Sequence, residues 1–184
     1  MKGTIFALAS VAALAACGGP QGGGKDEGGE ATTATAAASG WDATNACARL
    51  DKAALGAALG DTVTETNLGL VHQATAVEAA TSECTYRLAS GGDATLMTRW
   101  SPLADNTPAS IAQTRKATAA AVSAFSDKPV EDVPGLGKAA FFVPGINQMN
   151  VFLDERRFVI LTIGSAPRDR AKDIAADLVG TISR

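Results

Sequence analysis

Between Gly18 and Gly40 the chain contains no bulky apolar residue. It holds Gly22-Gly23-Gly24, Gly28-Gly29 and an alanine–threonine tract from Ala31 to Ala38. Such a stretch cannot bury enough surface to offset the entropy of ordering it. It therefore predicts a flexible tether over 17–40 and confines a single folded domain to 41–184, about 140 residues, enough for a substantial core. As a coil its ends would average about 25 Å apart.

Ahead of the tether lie Lys2 and an apolar run from Ile5 to Ala16, broken only by Ser10. The run falls short of the about 20 residues a spanning helix needs and ends in small residues, which predicts a secretion signal over 1–16. Leu14-Ala15-Ala16-Cys17 resembles the lipobox of bacterial lipoproteins. The resemblance implies that the Cys17 sulfur receives a diacylglycerol, that the bond before it is cut, and that the new amino terminus is often acylated. One acyl chain binds a membrane reversibly and at least two anchor stably. The partner at this end is then membrane lipid. Gly18 rather than Asp follows the cysteine. That implies the periplasmic face of the outer membrane in a Gram-negative cell, or the outer face of the plasma membrane in a Gram-positive one.

Sixteen basic and 19 acidic residues give a formal charge of −3. No long basic run exists, which argues against nucleic acid and anionic lipid as electrostatic partners. Of three cysteines, Cys47 and Cys84 remain once Cys17 is assigned to lipid. Two cysteines in an exported domain predict a disulfide. A metal site would need histidine or further thiolates, and the single histidine, His72, has no neighbour at ligand spacing. Neither metal nor cofactor is expected.

Trp41 opens the ordered region and is expected to pack back on it. Asp51 caps a helix over Lys52–Leu59, with Leu50 and Leu55 as a hydrophobic staple and Gly60 as its end. Thr62–Val71 reads as a strand. Ser82–Leu88 alternates, with Cys84, Tyr86 and Leu88 on one face, and Ala94–Trp100 returns with Leu96, Thr98 and Trp100 on one face. A three-residue loop at Gly91-Gly92-Asp93 brings Leu88 opposite Leu96; a two- or four-residue loop puts Thr95 or Met97 there. Thr107-Pro108 starts a second helix running to Phe125, with Ile111, Val122 and Phe125 on its buried stripe and Gln113, Arg115 and Lys116 facing out. Val130–Val133 reads as an edge strand, followed by strands at 138–143, 148–153 and 158–163. A turn at Glu155-Arg156 groups Val151, Leu153, Phe158 and Ile160 on one face, and Phe152, Val159, Leu161 and Ile163 on the other. Two apolar faces suggest a central strand pair. Ser165 caps a last helix with Ala171, Ile174, Leu178 and Ile182 inside.

This order predicts an α+β domain, an antiparallel sheet with helices packed on one face. A hairpin followed by a helix occurs twice, the pattern that two diverged hairpin–helix halves would leave. Cys47 to Gly60, Cys84-Thr85-Tyr86, Val133 to Phe142 and Phe158 to Ile182 resemble segments of small uncharacterised bacterial envelope lipoproteins. That resemblance implies a fold and transfers no catalytic residue.

Chemistry is sparse. A serine hydrolase needs nucleophile, base and orienting acid, and His72 has no such companions. Glu131-Asp132 and Asp154-Glu155 sit beside turns, where carboxylates are ordinarily solvated. Gly137-Lys138 lacks the hydroxyl residue and first glycine of a phosphate loop. The apolar loop Pro134-Gly135-Leu136-Gly137 is the candidate ligand contact, set against Leu136 simply folding onto the core. The expectation is a lipid-anchored, non-enzymatic binding or interaction module for an envelope protein or small ligand. The alternative is an envelope enzyme or sensor, which would need Tyr86, Arg99, His72, Glu83 or Asp132 to converge in a cleft.

Overall fold

A computed structural model describes residues 40–182. They form a 3-10 turn Ala46–Ala48, helix α1 Lys52–Leu59, strands β1 Val63–His72, β2 Ala80–Leu88 and β3 Asp93–Trp100, helix α2 Pro108–Val122, strands β4 Glu131–Asp132, β5 Ala139–Val143, β6 Gln148–Phe152 and β7 Arg157–Ile163, and helix α3 Ala171–Ile182. The seven strands pair antiparallel in one sheet, ordered β1-β2-β3-β7-β6-β5-β4. The α+β class and the antiparallel sheet are as the sequence predicts. Cys17 and the expected signal over 1–16 lie outside the described residues.

Local chemistry sets the helix ends. Asp51 accepts a hydrogen bond from the Ala54 amide at 2.8 Å, and left-handed Gly60 (φ 67°) closes α1. Inside α1, a Cβ at Gly56 would lie 2.7 Å from the Asp61 carbonyl, so the chain reversal into β1 requires glycine there. Thr107 caps α2 by accepting from the Ser110 amide, with Pro108 in the first turn.

The main core lies on one face of the sheet. Cys84, Leu96, Leu161, Met149 and Phe142 sit side by side across β2, β3, β7, β6 and β5, all buried. Helices α1 and α3 and the entering segment 41–50 cover them. The helices are not all on that face. Helix α2 lies on the opposite one, with Ile111, Ala119 and Val122 against Phe141, Val143, Phe152 and Phe158. Strands β5 to β7 are apolar on both sides, and helices on one face alone would leave three phenylalanines in water. This also removes the repeat. A two-fold axis exchanging antiparallel neighbours β3 and β7 runs normal to the sheet and keeps faces, so it cannot relate α2 to α3.

Four further expectations shift by small steps. Leu88 donates its amide to Gly92 across a three-residue loop, so Leu96 faces Cys84 rather than Leu88. In the β6–β7 turn, Leu153 donates to Arg157 and Phe152 pairs with Phe158, ring centroids 4.4 Å apart. One more residue in that loop than expected moves Val151 and Val159 to the main core and Phe152 and Phe158 beneath α2, since a one-residue slip reverses every side chain. Helix α2 stops at Val122, so Phe125 is exposed. Arg115 is half-buried rather than outward, bonding Asp132 at 2.6 Å and the Val130 carbonyl.

The edges are unequal. β4 has two residues, whereas β1 has ten, mostly exposed. Register shifts at Val63/Glu65 and Gly69/His72 interrupt β1. Bulges of this kind blunt an open edge against pairing with other chains.

Candidate functional site

The apolar cluster under α2 spans β5, β6 and β7 and reaches Met97 on β3. Beyond the helix, side chains from five strands form an open polar surface. Asn67, Thr85, Thr95, Thr162 and Gln148 are successive partners across β1, β2, β3, β7 and β6, all exposed or half-buried. Gln148 donates to the Thr162 hydroxyl at 3.2 Å, and Asn150 donates to Gln148. The adjacent row is Gly69, Glu83, Met97, Ile160 and Asn150. Nothing lies within 4 Å of a Cβ built at Gly69, which leaves a notch beside the half-buried Glu83. Among the described residues, no cation stands within 4.0 Å of the Glu83 carboxylate.

The register follows from what the other side of the same strands must do. On β2, Ser82, Cys84, Tyr86 and Leu88 are buried, so Thr81, Glu83 and Thr85 must point to the opposite face. Ser82 is held from below: its hydroxyl donates to the Ala43 carbonyl at 2.7 Å and accepts from the Ala46 amide at 2.9 Å. Thr98 also donates to Ala43 at 2.9 Å. The entering segment thus ties β2 and β3 together behind the polar face, which stiffens it.

At the lower margin of α2, Arg99, Asp105, Ser110 and Thr114 line a hollow of about 180 Å³ with Phe152 and Phe158. Its charges are already satisfied. Arg99 makes two bonds to the Asp105 carboxylate, 2.9 and 2.6 Å, and the Ser110 hydroxyl donates to the Asp105 carbonyl. The Arg99 hydrogen bonds hold the Asp105 carboxyl below the usual carboxylate range, against a smaller opposing effect of burial. Burial pushes Asp154 up, but amide bonds from Arg156 and Arg157 and the Arg157 guanidinium outweigh it, and its carboxyl is lowered too. Carboxyls with depressed folded values stabilise the domain above their unfolded pKa of about 3.9 and lose that contribution as pH falls through the folded value. The urea midpoint is therefore expected to decline as pH drops below about 4, and Asp105→Asn is expected to flatten the decline. A midpoint unchanged from neutral pH down to strong acid would contradict this.

The structure does not bring the other singled-out residues together. The Tyr86 hydroxyl is buried and donates to the Leu50 carbonyl at 3.2 Å, and burial raises its pKa well above the usual phenol value. His72 lies 3.8 Å from Glu78, both exposed. Asp132 pairs with Arg115 beyond α2. In the loop Pro134-Gly135-Leu136-Gly137, Leu136 packs on the main core. A Cβ at Gly137 would lie 2.6 Å from the Phe152 carbonyl, so β6 holds the loop down. Its outer surface bounds a shallow hollow of about 240 Å³. Cys47 and Cys84 form the expected disulfide. Trp41 packs back as expected, its ring between the guanidinium groups of Arg49 and Arg157 at 5.2 and 5.3 Å.

Sequence reasoning missed the polar face. The alternation in 82–88 and 94–100 reveals it once the complementary positions are read as a surface of their own. Among the described residues, no three of His, Cys, Asp and Glu gather as metal ligands, and no helix is long and apolar enough to cross a membrane. No protein-family model, no curated protein and no solved structure matches this chain.

Proposed function

We propose that this chain is a lipid-anchored cell-envelope protein whose domain binds a hydroxyl- or amide-bearing ligand on its open sheet face. The observation that carries the reading is the row Asn67, Thr85, Thr95, Thr162 and Gln148. Hydroxyl and amide side chains both donate and accept hydrogen bonds, and they gain a ligand without the desolvation that buried charge would cost. Glu83 adds an acceptor for a ligand amine or hydroxyl. The acylated Cys17 would keep this face near the membrane where such ligands are displayed.

A photoreactive residue placed at Thr95 in the full chain in cells tests it. The expected result is an adduct of one discrete mass from Thr95 and none from the same residue placed at Ser123, exposed at the C-terminal cap of α2. Equal labelling from both positions, or none from Thr95, overturns the ligand face. The anchor is read separately: Cys17→Ser is expected in the soluble fraction, and finding it in the membrane pellet counts against lipidation.

A further inference from the structure

The end of the sheet at which the chain enters is also the end that exposes aliphatic side chains. His72 pairs with Thr81, Ala80 with Trp100, and Trp100 with Arg157. The Arg157 guanidinium lies over the ring of Trp41, the residue after Gly40. Gly40 and the β1–β2 connection therefore share one end of the sheet. At the end of β1 Leu70 is 75 % exposed and Val71 49 %, and on the connection itself Val77 is 69 % exposed. Neighbouring residues face inward instead: Ala74 and Ala80 belong to the main core.

The backbone holds these side chains outward. Leu70 has φ 50°, a left-handed conformation that a leucine seldom adopts. It sits in the register shift between Gly69 and His72. A bulge re-aims side chains, and backbone outliers of this kind concentrate where a surface does something. Phe125, by contrast, is exposed beyond the far end of α2.

We infer that the Leu70–Val77 tip docks into the interface of the bilayer that holds Cys17. This rests on the reading of Cys17 as the anchor. The observation that selects lipid as the occupant is the position of the tip beside residue 40. Twenty-three residues separate Cys17 from Trp41, a coil whose ends average about 25 Å apart from its composition, so the tip samples the headgroups often. The tip carries aliphatic groups and no cluster of Lys or Arg. Docking is then apolar burial rather than attraction to anionic lipid, and insensitive to salt. With the strands upright on the membrane, the open face looks sideways across it.

The test is hydrogen exchange on the natively acylated full chain, reconstituted into phosphatidylcholine vesicles, against Cys17→Ser in solution. Amides 70–78 are expected to exchange several-fold more slowly on vesicles, at low and high salt alike, while 123–128 are unchanged. Leu70→Ser with Val77→Ser, both at exposed positions, is expected to abolish the protection without altering the melting temperature. A chain that floats with the vesicles while 70–78 exchange as in solution overturns the docking alone. A chain with no acyl mass overturns the anchor, and the docking with it.

Discussion

Cys47→Ala is expected to lower the stability of this domain by about 4 kcal/mol. The bridge spans a sequence separation of 37 residues, and its loop holds α1 and all of β1. Opening it releases the unfolded chain from a constraint of that length, which in the chain-entropy treatment is the main effect of a disulfide. Cys84→Ala is expected to cost a similar amount, slightly more because Cys84 is fully buried in the main core and leaves a void. The double variant should lie close to the single ones, because either change removes the same bond. Urea unfolding of all three, compared with the reduced parent, measures this. Losses that add in full would contradict a shared bridge.

Leu161→Ala is expected to cost about 3 kcal/mol, within the 2–5 kcal/mol range of buried leucine truncations. Leu161 lies on β7, the fourth of seven strands, flanked by Leu96 and Met149 in the buried row. Strands pair on both sides, and helix-backed core lies above, so the site cannot collapse to fill the void. Thr162, one residue on, points to the polar face. Thr162→Ala is expected to change stability by no more than about 0.5 kcal/mol. Thermal or urea unfolding of the pair reads the contrast, and similar losses at both positions would mean that the two faces of β7 are not as different as described.

Much of the fold was legible because its signals are local. Asp51 and Gly60 bracket α1, Thr107-Pro108 starts α2, and the alternation at Cys84, Tyr86 and Leu88 shows which way β2 faces. The errors came where one residue decides. In the β6–β7 turn, Asp154 accepts the amides of both Arg156 and Arg157, which stabilises a loop one residue longer than the spacing suggests and reverses the expected faces. The division of helices between faces is a tertiary matter. It follows from Phe152 and Phe158 pairing beneath α2, and no window of the sequence contains both that pair and Ile111. The disulfide was legible by counting. The polar face is written in the same alternation as the core, in the complementary positions Thr81, Glu83 and Thr85.

The fastening of residues 41–50 has a mechanical consequence. On the anchor proposed above, any pull on the domain would arrive at Gly40. The bonds that meet that pull are the Trp41 ring between two guanidiniums, the Ala43 and Ala46 bonds to Ser82, the disulfide at Cys47 and the Tyr86 bond to Leu50. They lead into β2 and β3, inside the sheet, and bypass the outer strand β1. Tension is therefore spread over several attachments and ends at a covalent link, so a pull on the entering segment reaches β2 through Cys47–Cys84 even after its hydrogen bonds have given way.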